Sequence, residues 1–288
     1  MQKNFFKLLL YSALSLSLLA GCGPAEPTTP EASNSPAPNG YVEIPRMTDD
    51  LIAPEESREL AVHYLPQGYA ILESAGQAVL LGGCSKEDVE AVSDVLSDLD
   101  IERLNYIIVP SSQESRWSGV SDLREKFGKN LVVTSRAKGS TEYEQFKEDV
   151  GNMLLTVGAG SSFNVGTEIV HVIGPLVDDA ENSADTSLVL WTECGEKSFL
   201  FADDASAAEF NSILASGIDI KARYIFLNSR GESTIPFAAV QLLSPWEFVV
   251  ADDAVLPDFG AEEPANLHEL NELYYSVVAS DDDYDSAK

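Results

Sequence analysis

Short apolar runs alternate with amphipathic segments along most of this chain. Residues 69–74, "YAILES", and residues 77–83, "QAVLLGG", are strand-like and are joined by a glycine-containing turn, a pattern that predicts a β-hairpin. In residues 85–99, apolar side chains recur every three or four positions, which predicts a helix with Ser85 as its N-cap. Residues 104–110, "LNYIIVP", form a continuous apolar run that is typical of a buried parallel strand.

The same alternation continues to residue 251. Further strands are predicted at residues 59–65, 130–135, 152–157, 167–173, 187–193, 197–202, 222–228 and 247–251, and further helices at about 119–127, 143–150, 205–216 and 235–243. Hairpins and β-α-β units are mixed throughout, and the sequence contains no internal repeat. We therefore predict an α/β fold in which two mixed sheets pack face to face with helices outside, an αββα sandwich.

The start of the chain follows a different pattern. A short basic segment with Lys3 and Lys7 precedes the apolar run "LLLYSALSLSLLAGC", which indicates a secretory signal and is too short for a lasting membrane span. Residues 23–40 are dominated by proline, serine, threonine and alanine without an apolar period, which predicts a flexible tether. We thus predict a signal peptide over 1–21, a tether over 22–42, a folded domain over 43–260, and a C-terminal helix with an acidic tail over 261–288.

The end of the signal segment, Leu19-Ala20-Gly21-Cys22, resembles the bacterial lipobox. That resemblance implies cleavage before Cys22 and attachment of a diacylglyceryl group to its sulfur. Acyl chains contribute about 0.8 kcal/mol per buried methylene, so two or three of them anchor a protein firmly. The expected location is the extracytoplasmic face of a bacterial cell membrane, with the membrane itself as a partner through the lipid. The alternative is an ordinary signal peptide with a chance cysteine.

Charge and cysteine content restrict the partners further. The formal net charge of −29 argues against nucleic acid and anionic lipid as binding partners. Apart from Cys22, the chain has only Cys84 and Cys194, each in an apolar, strand-like setting. Outside the cytoplasm these two residues allow either one disulfide or two buried thiols.

Read in order, several segments resemble the metallo-β-lactamase fold, and most closely the β-lactamase-like domain of ComEC-type DNA-uptake proteins. The family's D-V-G-Q-G-D-A-I-L opening corresponds to "YLPQGYAIL", residues 64–72, and its L-I-D-G-G corresponds to "LLGG", residues 80–83, where Leu81 stands in place of the aspartate. Its T-H-P-H-A-D-H-x-G-G loop aligns with "PSSQESRWSG", residues 110–119. Later family motifs align with "ADTSLVL", "SFLFADD" and "LNSRGES", residues 184–190, 198–204 and 227–233. The resemblance spans about residues 60–255.

The metal ligands of that family are missing from these positions. In the family, histidines and a carboxylate hold one or two Zn²⁺ ions, which activate water for hydrolysis. The aligned positions here are, in chain order, Ser111, Gln113, Ser115, Arg116, Ser229 and Arg230, and only Asp204 matches a family ligand. Serine and glutamine are poor zinc ligands, and arginine is a fixed cation. We therefore predict no metal and no other cofactor, and a domain that is a pseudoenzyme rather than a catalyst.

Several uses of the altered site are open at this stage. A guanidinium, from Arg116 or Arg230, is predicted to pair with Asp204 in place of a metal. The two arginines, with Ser111, Ser112, Ser229 and Asn228 near Trp117, also fit an anionic or sugar-like ligand. A serine nucleophile at 111 or 112 lacks a nearby histidine, and calcium binding by Asp178-Asp179, Asp203-Asp204 or Asp252-Asp253 lacks an EF-hand spacing. His63, His171 and His268 form no metal-spaced pair, so each is predicted to be structural.

The most economical hypothesis is a lipid-anchored envelope protein whose metal-free domain binds a ligand or another protein. The alternative is a metallo-β-lactamase-fold hydrolase, of a phosphodiesterase or nuclease kind, with a rearranged residual site.

Overall fold

The computed structural model describes residues 42–43, 58–176, 186–202, 204–228, 235–252, 254, 256 and 266–281. The predicted signal peptide, Cys22 and nearly all of the tether lie outside these residues. Among the described residues, no helix combines the length and the apolar character that crossing a membrane requires.

Two mixed sheets form the centre of the described part of the chain. The N-terminal sheet has the strand order β15-β2-β3-β4-β5-β6-β7, and the C-terminal sheet has the order β1-β8-β9-β10-β11-β12-β13-β14. The strands of the N-terminal sheet are β2 (Glu59–Leu65), β3 (Tyr69–Ser74), β4 (Gln77–Leu81), β5 (Tyr106–Val109), β6 (Leu131–Ser135), β7 (Leu154–Val157) and β15 (Tyr275–Ser280). Those of the C-terminal sheet are β1 (Val42–Glu43), β8 (Ser161–Val165), β9 (Glu168–Gly174), β10 (Val189–Cys194), β11 (Lys197–Phe201), β12 (Tyr224–Leu227), β13 (Glu247–Val250) and β14 (Leu267–Glu269).

Helices cover the outer face of each sheet. They are α1 (Val89–Asp98), α2 (Glu114–Trp117), α3 (Val120–Lys126), α4 (Thr141–Val150), α5 (Ala207–Ala215) and α6 (Phe237–Leu243), and a 3₁₀ turn spans Gly151–Met153. The first four lie in the sequence that builds the N-terminal sheet, and the last two lie between strands of the C-terminal sheet. The predicted αββα sandwich is thereby confirmed.

Three apolar clusters follow from this layering. The central cluster joins inward-facing residues of both sheets, such as Tyr64, Phe163 and Phe226, all of which are buried. A second cluster packs α1, α3 and α4 on the N-terminal sheet, and a third packs α5 and α6 on the C-terminal sheet. Strands β4, β5, β6 and β7 are parallel neighbours, as are β11, β12 and β13, so the carboxyl ends of these strands share an edge. This edge is where polar residues follow the strands.

The predicted hairpin is present and its turn has an identifiable cause. β3 and β4 pair antiparallel, and the residues between them, Ala75 and Gly76, both have positive φ (46° and 73°). Two consecutive residues with positive φ are the signature of the type I′ turn, whose twist matches that of the flanking strands. The helix that follows begins later than predicted, at Val89, with Asp88 as its N-cap. Ser85 instead accepts a hydrogen bond from the Asp88 amide at 3.1 Å, closing the turn before the helix.

The C-terminal prediction was wrong. Where a helix was predicted, the described residues 266–281 form β14 and β15, and β15 pairs antiparallel with β2 over six residues. Its burial alternates, with Val277 and Ala279 buried and Val278 half exposed, which is the two-residue period of a strand. The last strand therefore belongs to the folded domain, and the predicted boundary at residue 260 does not separate it. The strand β8 was also not predicted.

Both remaining cysteines are buried thiols, which decides between the two alternatives left open by the sequence. Burial raises the pKa of Cys84 well above its usual range and raises that of Cys194 to about 12. A thiol whose pKa is raised in this way is a poor nucleophile and a poor metal ligand at neutral pH.

Candidate functional site

Polar groups from both sheets meet where several strands end. Ser111 follows β5, Asp204 follows β11, Asn228 follows β12, and Gly68 lies in the turn between β2 and β3. Arg116 reaches this point from α2, the short helix on the loop after β5. We call Ser111, Arg116 and Asp204, with the backbone carbonyls of Gly68 and Asn228, the Arg116 cluster.

The Arg116 guanidinium and the Asp204 carboxylate form a two-pronged ion pair. Arg116 Nε donates to Asp204 Oδ2 at 2.9 Å, and Arg116 Nη2 donates to Asp204 Oδ1 at 2.7 Å. Both side chains are buried, with exposed side-chain fractions of 3% and 2%. A planar guanidinium matches a carboxylate in this geometry better than an ammonium does. The pairing predicted between an arginine and Asp204 is confirmed for Arg116.

The rest of the guanidinium is held by backbone carbonyls. Arg116 Nη1 donates to the carbonyl of Gly68 and Nη2 donates to that of Asn228, each at 3.2 Å. The side-chain amide of Asn228 also donates, through Nδ2, to the Gly68 carbonyl at 3.2 Å. Because a buried charge is tolerated only when it is paired and hydrogen-bonded, these carbonyls are as much part of the site as Asp204.

Ser111 completes the surroundings of the carboxylate. Its buried hydroxyl donates to Asp204 Oδ2 at 2.8 Å, and its oxygen accepts a weaker bond from the Gln113 amide at 3.4 Å. Ser115 contributes its carbonyl, which accepts from the Tyr69 hydroxyl at 3.4 Å outside the cluster. The aligned positions therefore separate into Ser111, Arg116 and Asp204, which meet, and Gln113 and Ser115, whose side chains are not among the groups that contact Asp204. Ser229 and Arg230 lie outside the described residues.

A glycine allows the loop to approach the sheet closely. Gly83 has φ of 70°, and a Cβ built there would lie 1.8 Å from the Arg116 carbonyl oxygen. That carbonyl accepts from the Cys84 amide at 2.9 Å, and the Gly119 amide donates to the Cys84 carbonyl at 2.9 Å. The C-terminal end of helix α2 is thus fixed against residues 83–84. The position of Arg116 is consequently set by backbone bonds as well as by its side chain.

This arrangement does not suit a metal ion. Both oxygens of Asp204 already accept hydrogen bonds from charged or hydroxyl donors, and the nearest side chain carries a permanent positive charge. Among the described residues, no group of three or more histidine, cysteine, aspartate or glutamate side chains is placed to hold an ion. The donor set of the Arg116 cluster is that of an internal ion pair.

The other candidates from the sequence are dispersed. His63 lies in β2, His171 in β9 beside Trp191, and His268 in β14, stacked on Tyr275 at 4.0 Å between ring centroids. His268 therefore lies in a strand rather than near a helix. Of the acidic pairs proposed for calcium, Asp204 is engaged by Arg116, Asp252 is exposed, and Asp178, Asp179, Asp203 and Asp253 lie outside the described residues.

A groove lies beside the cluster on the outer surface. Half-buried Trp117, next to Arg116 in sequence, donates its indole N–H to the Ser112 carbonyl at 3.2 Å and packs on Phe146 of α4 at 5.5 Å between ring centroids. These rings form the floor of an open cavity of about 400 Å³, whose rim carries Glu142, Gln145 and Asp149. The groove thus combines an aromatic floor with a polar, acidic rim.

Comparison with solved structures identifies the architecture. CmlA, a diiron beta-hydroxylase from Streptomyces venezuelae, is similar over 78% of this chain with a TM-score of 0.51 and 13% sequence identity. The chain spans about half of that structure's length (54%). The metallo-β-lactamase fold protein YhfI from Bacillus subtilis is similar over 78% of this chain and 100% of its own, with a TM-score of 0.49 and 10% identity. A diphosphatase of the PhnP family is similar over 77% and 98%, with a TM-score of 0.46 and 8% identity.

This chain has the metallo-β-lactamase fold. No family model and no curated protein matches the sequence. At these low identities the similarity concerns the fold alone.

Sequence reasoning missed the part played by the backbone. The carbonyls of Gly68 and Asn228 accept from Arg116, and a carbonyl leaves no trace in a pattern of side chains. One signal was present, because a glycine in a turn at the end of a strand often marks a close backbone approach, and Gly68 has φ of 84°. A Cβ there would lie 3.2 Å from Asn228 Cβ, which is closer than ordinary van der Waals contact.

Proposed function

We propose that this protein is a lipid-anchored, extracytoplasmic protein whose metallo-β-lactamase-like domain binds a ligand or a partner protein at the cell envelope and performs no metal-dependent hydrolysis. The observation that carries the proposal is the buried pair of Arg116 and Asp204, whose hydrogen-bonding groups are directed at each other. The anchoring part rests on the lipobox-like sequence at Cys22. The kinship to ComEC-type domains rests on the motif order in residues 64–233.

The cluster itself is poorly suited to capture an external anion. Arg116 is only 2% exposed, and its donors are directed to Asp204, Gly68 and Asn228. An anionic ligand would have to displace Asp204 and leave a buried carboxylate unpaired, which costs several kcal/mol. We therefore assign the Arg116 cluster a structural role: it holds the loop after β5 in place.

The groove beside Trp117 is the better binding surface. Its rim includes Glu142 and Asp149, which disfavour anionic ligands, and Gln145, whose amide donates to Asp149 at 3.0 Å. An aromatic floor with amide and carboxylate groups at its rim suits a polar ring with one apolar face, such as a sugar. Of the two ligand classes that the sequence left open, the groove favours the sugar-like one.

Titration of the mature domain with neutral and charged cell-wall glycan fragments tests the binding role. Gln145→Ala should weaken binding, whereas Gln241→Ala, an exposed glutamine on α6, is the matched control and should leave it unchanged. Saturable heat in the calorimeter that depends on Gln145 supports the groove. Equal behaviour of the two variants, or no heat across the panel, contradicts it.

Elemental analysis with a phosphodiesterase assay tests the loss of metal chemistry. We expect zinc far below one ion per chain after purification in metal-containing buffer, and no turnover of bis(4-nitrophenyl) phosphate. Stoichiometric zinc together with turnover would instead support the rearranged hydrolase.

A further inference from the structure

A serine, a histidine and a glutamate meet on the outer face of the N-terminal sheet, away from the Arg116 cluster. Ser276 on β15 is directly opposite His63 on β2, and Glu73 on β3 is opposite Ala61, two residues before His63. The neighbours Val62, Leu72 and Val277 belong to the core between the sheets. Because side chains alternate along a strand, Ser276, His63 and Glu73 project from the opposite face.

The three side chains form a continuous hydrogen-bonded chain. Ser276 Oγ lies 2.6 Å from His63 Nδ1, and Glu73 Oε2 lies 2.9 Å from His63 Nε2. A carboxylate only accepts hydrogen bonds, so the Glu73 contact places the ring proton on Nε2 and leaves the lone pair of Nδ1 facing the serine hydroxyl. A nucleophile, a base within hydrogen-bond reach and a third group that orients the base are the elements of an activated serine.

The hydrogen-bonded side chains differ in burial in the way that an activated serine requires. Ser276 is exposed, whereas His63 is only 6% exposed and cannot leave its position freely. The Tyr274 ring meets the imidazole edge-on at 5.6 Å between centroids, and the Tyr274 hydroxyl donates to Asp98 on α1 at 2.9 Å. The base is thus oriented on two sides, by Glu73 and by Tyr274.

The backbone of β15 supplies a donor for a developing oxyanion. The Val278 carbonyl accepts from Lys197 Nζ at 2.8 Å, so it points away from β2. In an antiparallel strand the N–H and C=O groups of residues i and i+2 point to the same side. The Ser276 N–H therefore also points away from β2 and takes no part in the hydrogen bonds between β15 and β2. A backbone N–H in this position can stabilise negative charge on an attacked carbonyl oxygen.

We propose that Ser276, His63 and Glu73 form a second site that hydrolyses small carboxylic esters. The Ser276 oxygen bonds to the ester carbonyl carbon while its proton moves to His63 Nδ1 and the carbonyl π electrons move to the oxygen. The intermediate collapses, the bond to the alkoxy group breaks, and His63 returns the proton to the leaving alcohol. His63 Nδ1 then takes a proton from a water molecule while the water oxygen bonds to the acyl carbon. The bond from that carbon to the Ser276 oxygen breaks, the proton on His63 returns to Ser276, and the acyl group leaves as a carboxylic acid. The sum is ester plus water giving acid plus alcohol.

Charge selects among possible esters. Glu73 on β3 contacts the imidazole, Asp98 on α1 approaches it through Tyr274, and the Lys197 ammonium lies at the Val278 carbonyl, two residues along β15 from Ser276. The whole chain carries −29. Anionic esters are therefore repelled, and neutral or cationic short-chain esters are the expected substrate class.

The test uses the full mature domain with 4-nitrophenyl acetate and an uncharged phosphonate ester as a covalent probe. We expect the phosphonate to label Ser276, identified by peptide mass spectrometry, and Ser276→Ala to lose both label and turnover. General base catalysis contributes about 10²–10⁴-fold, so His63→Gln should lower the acylation rate by at least about 100-fold. Ser280→Ala, a serine four positions along the same face, is the matched control and should keep the wild-type rate.

If the three side chains formed a purely structural hydrogen-bond network, the protein would show neither phosphonate labelling at Ser276 nor ester hydrolysis that depends on it. Burial lowers the pKa of His63, with Glu73 opposing that shift, so the acidic limb of the rate profile should lie below the value of about 6.5 for free imidazole. Chelators should not affect the rate, which separates this site from residual metal chemistry. If wild-type protein takes up no phosphonate, or if the label falls on another residue, the proposal is wrong regardless of how the variants fold.

Discussion

At the scale of single residues, one ion pair explains why the Arg116 cluster holds together. A buried carboxylate such as Asp204 needs a positive partner, and Arg116 supplies it with two parallel hydrogen bonds. Such a pair contributes little net stability over an apolar replacement, but removing one member leaves an uncompensated buried charge. The pair is thus a constraint on the loop more than a source of stability.

Asp204→Asn should destabilise the domain strongly. The neutral amide leaves the Arg116 guanidinium buried without its counter-charge, and breaking a buried pair in this way costs about 3–5 kcal/mol. Urea denaturation gives the change in the free energy of unfolding. The double variant Asp204→Asn with Arg116→Met should recover part of the loss, since it removes the orphaned charge. Strictly additive losses would show that the two side chains are not coupled.

A comparison of Gly83 with Gly76 separates the cost of a left-handed backbone from the cost of a steric clash. Both have φ near 70°, but a Cβ at Gly83 would meet the Arg116 carbonyl oxygen at 1.8 Å, whereas one at Gly76 meets nothing within 4 Å. Gly76→Ala should cost about 1 kcal/mol from the left-handed backbone alone. Gly83→Ala should cost about 2–4 kcal/mol, because overpacking adds about 1–3 kcal/mol to the same backbone cost. Similar losses in the two variants, measured by urea denaturation, would contradict this account of the α2 contact.

At the scale of elements, the last strand is the least expected part of the fold. The sequence before β15 is acidic and contains no long apolar run that would predict a strand. Nevertheless, β15 pairs with β2 over six residues. It also carries Ser276 to His63, so the proposed ester site exists only because the two ends of the folded sequence are neighbours in one sheet.

Adjacent valines on β15 test this placement. Val277 is 6% exposed in the core between the sheets, and Val278 is 50% exposed. Val277→Ala removes two buried carbon atoms and should lower the free energy of unfolding by about 2 kcal/mol. Val278→Ala should change it by less than about 0.5 kcal/mol. A C-terminal helix would not produce this one-residue alternation, so equal effects would argue against the strand.

At the scale of the whole molecule, charge is the dominant feature. A net charge of −29 on a chain of 288 residues repels itself when the chain is compact. Raising the NaCl concentration from about 0.05 M to about 0.5 M shortens the screening length to about 4 Å, so the free energy of unfolding should increase. KCl at the same ionic strength should increase the free energy of unfolding by the same amount. A decrease with salt would mean that surface attractions outweigh the repulsion.

Much of the fold could be predicted from the sequence because many of its elements have a local pattern of apolar and polar residues. The hairpin of β3 and β4, the helix over residues 89–98 and the apolar strand β5 each carry their own periodicity. Strand β15 was not predicted because its burial depends on β2, which is remote in sequence. Likewise, Arg116 and Asp204 could be paired by aligning motifs, but the carbonyls that share the guanidinium could not.

The sequence by itself determined the layered α/β architecture, the strongly acidic character and the serine, glutamine and arginine side chains of residues 111–116, because residue identity alone fixes periodicity, charge and the chemistry of the side chains. Only the tertiary structure decided that Arg116 turns inward to Asp204, and that Ser276 reaches His63. Both contacts join residues at least 88 positions apart. Such distances are set by sheet order and strand register, which the folded chain establishes as a whole.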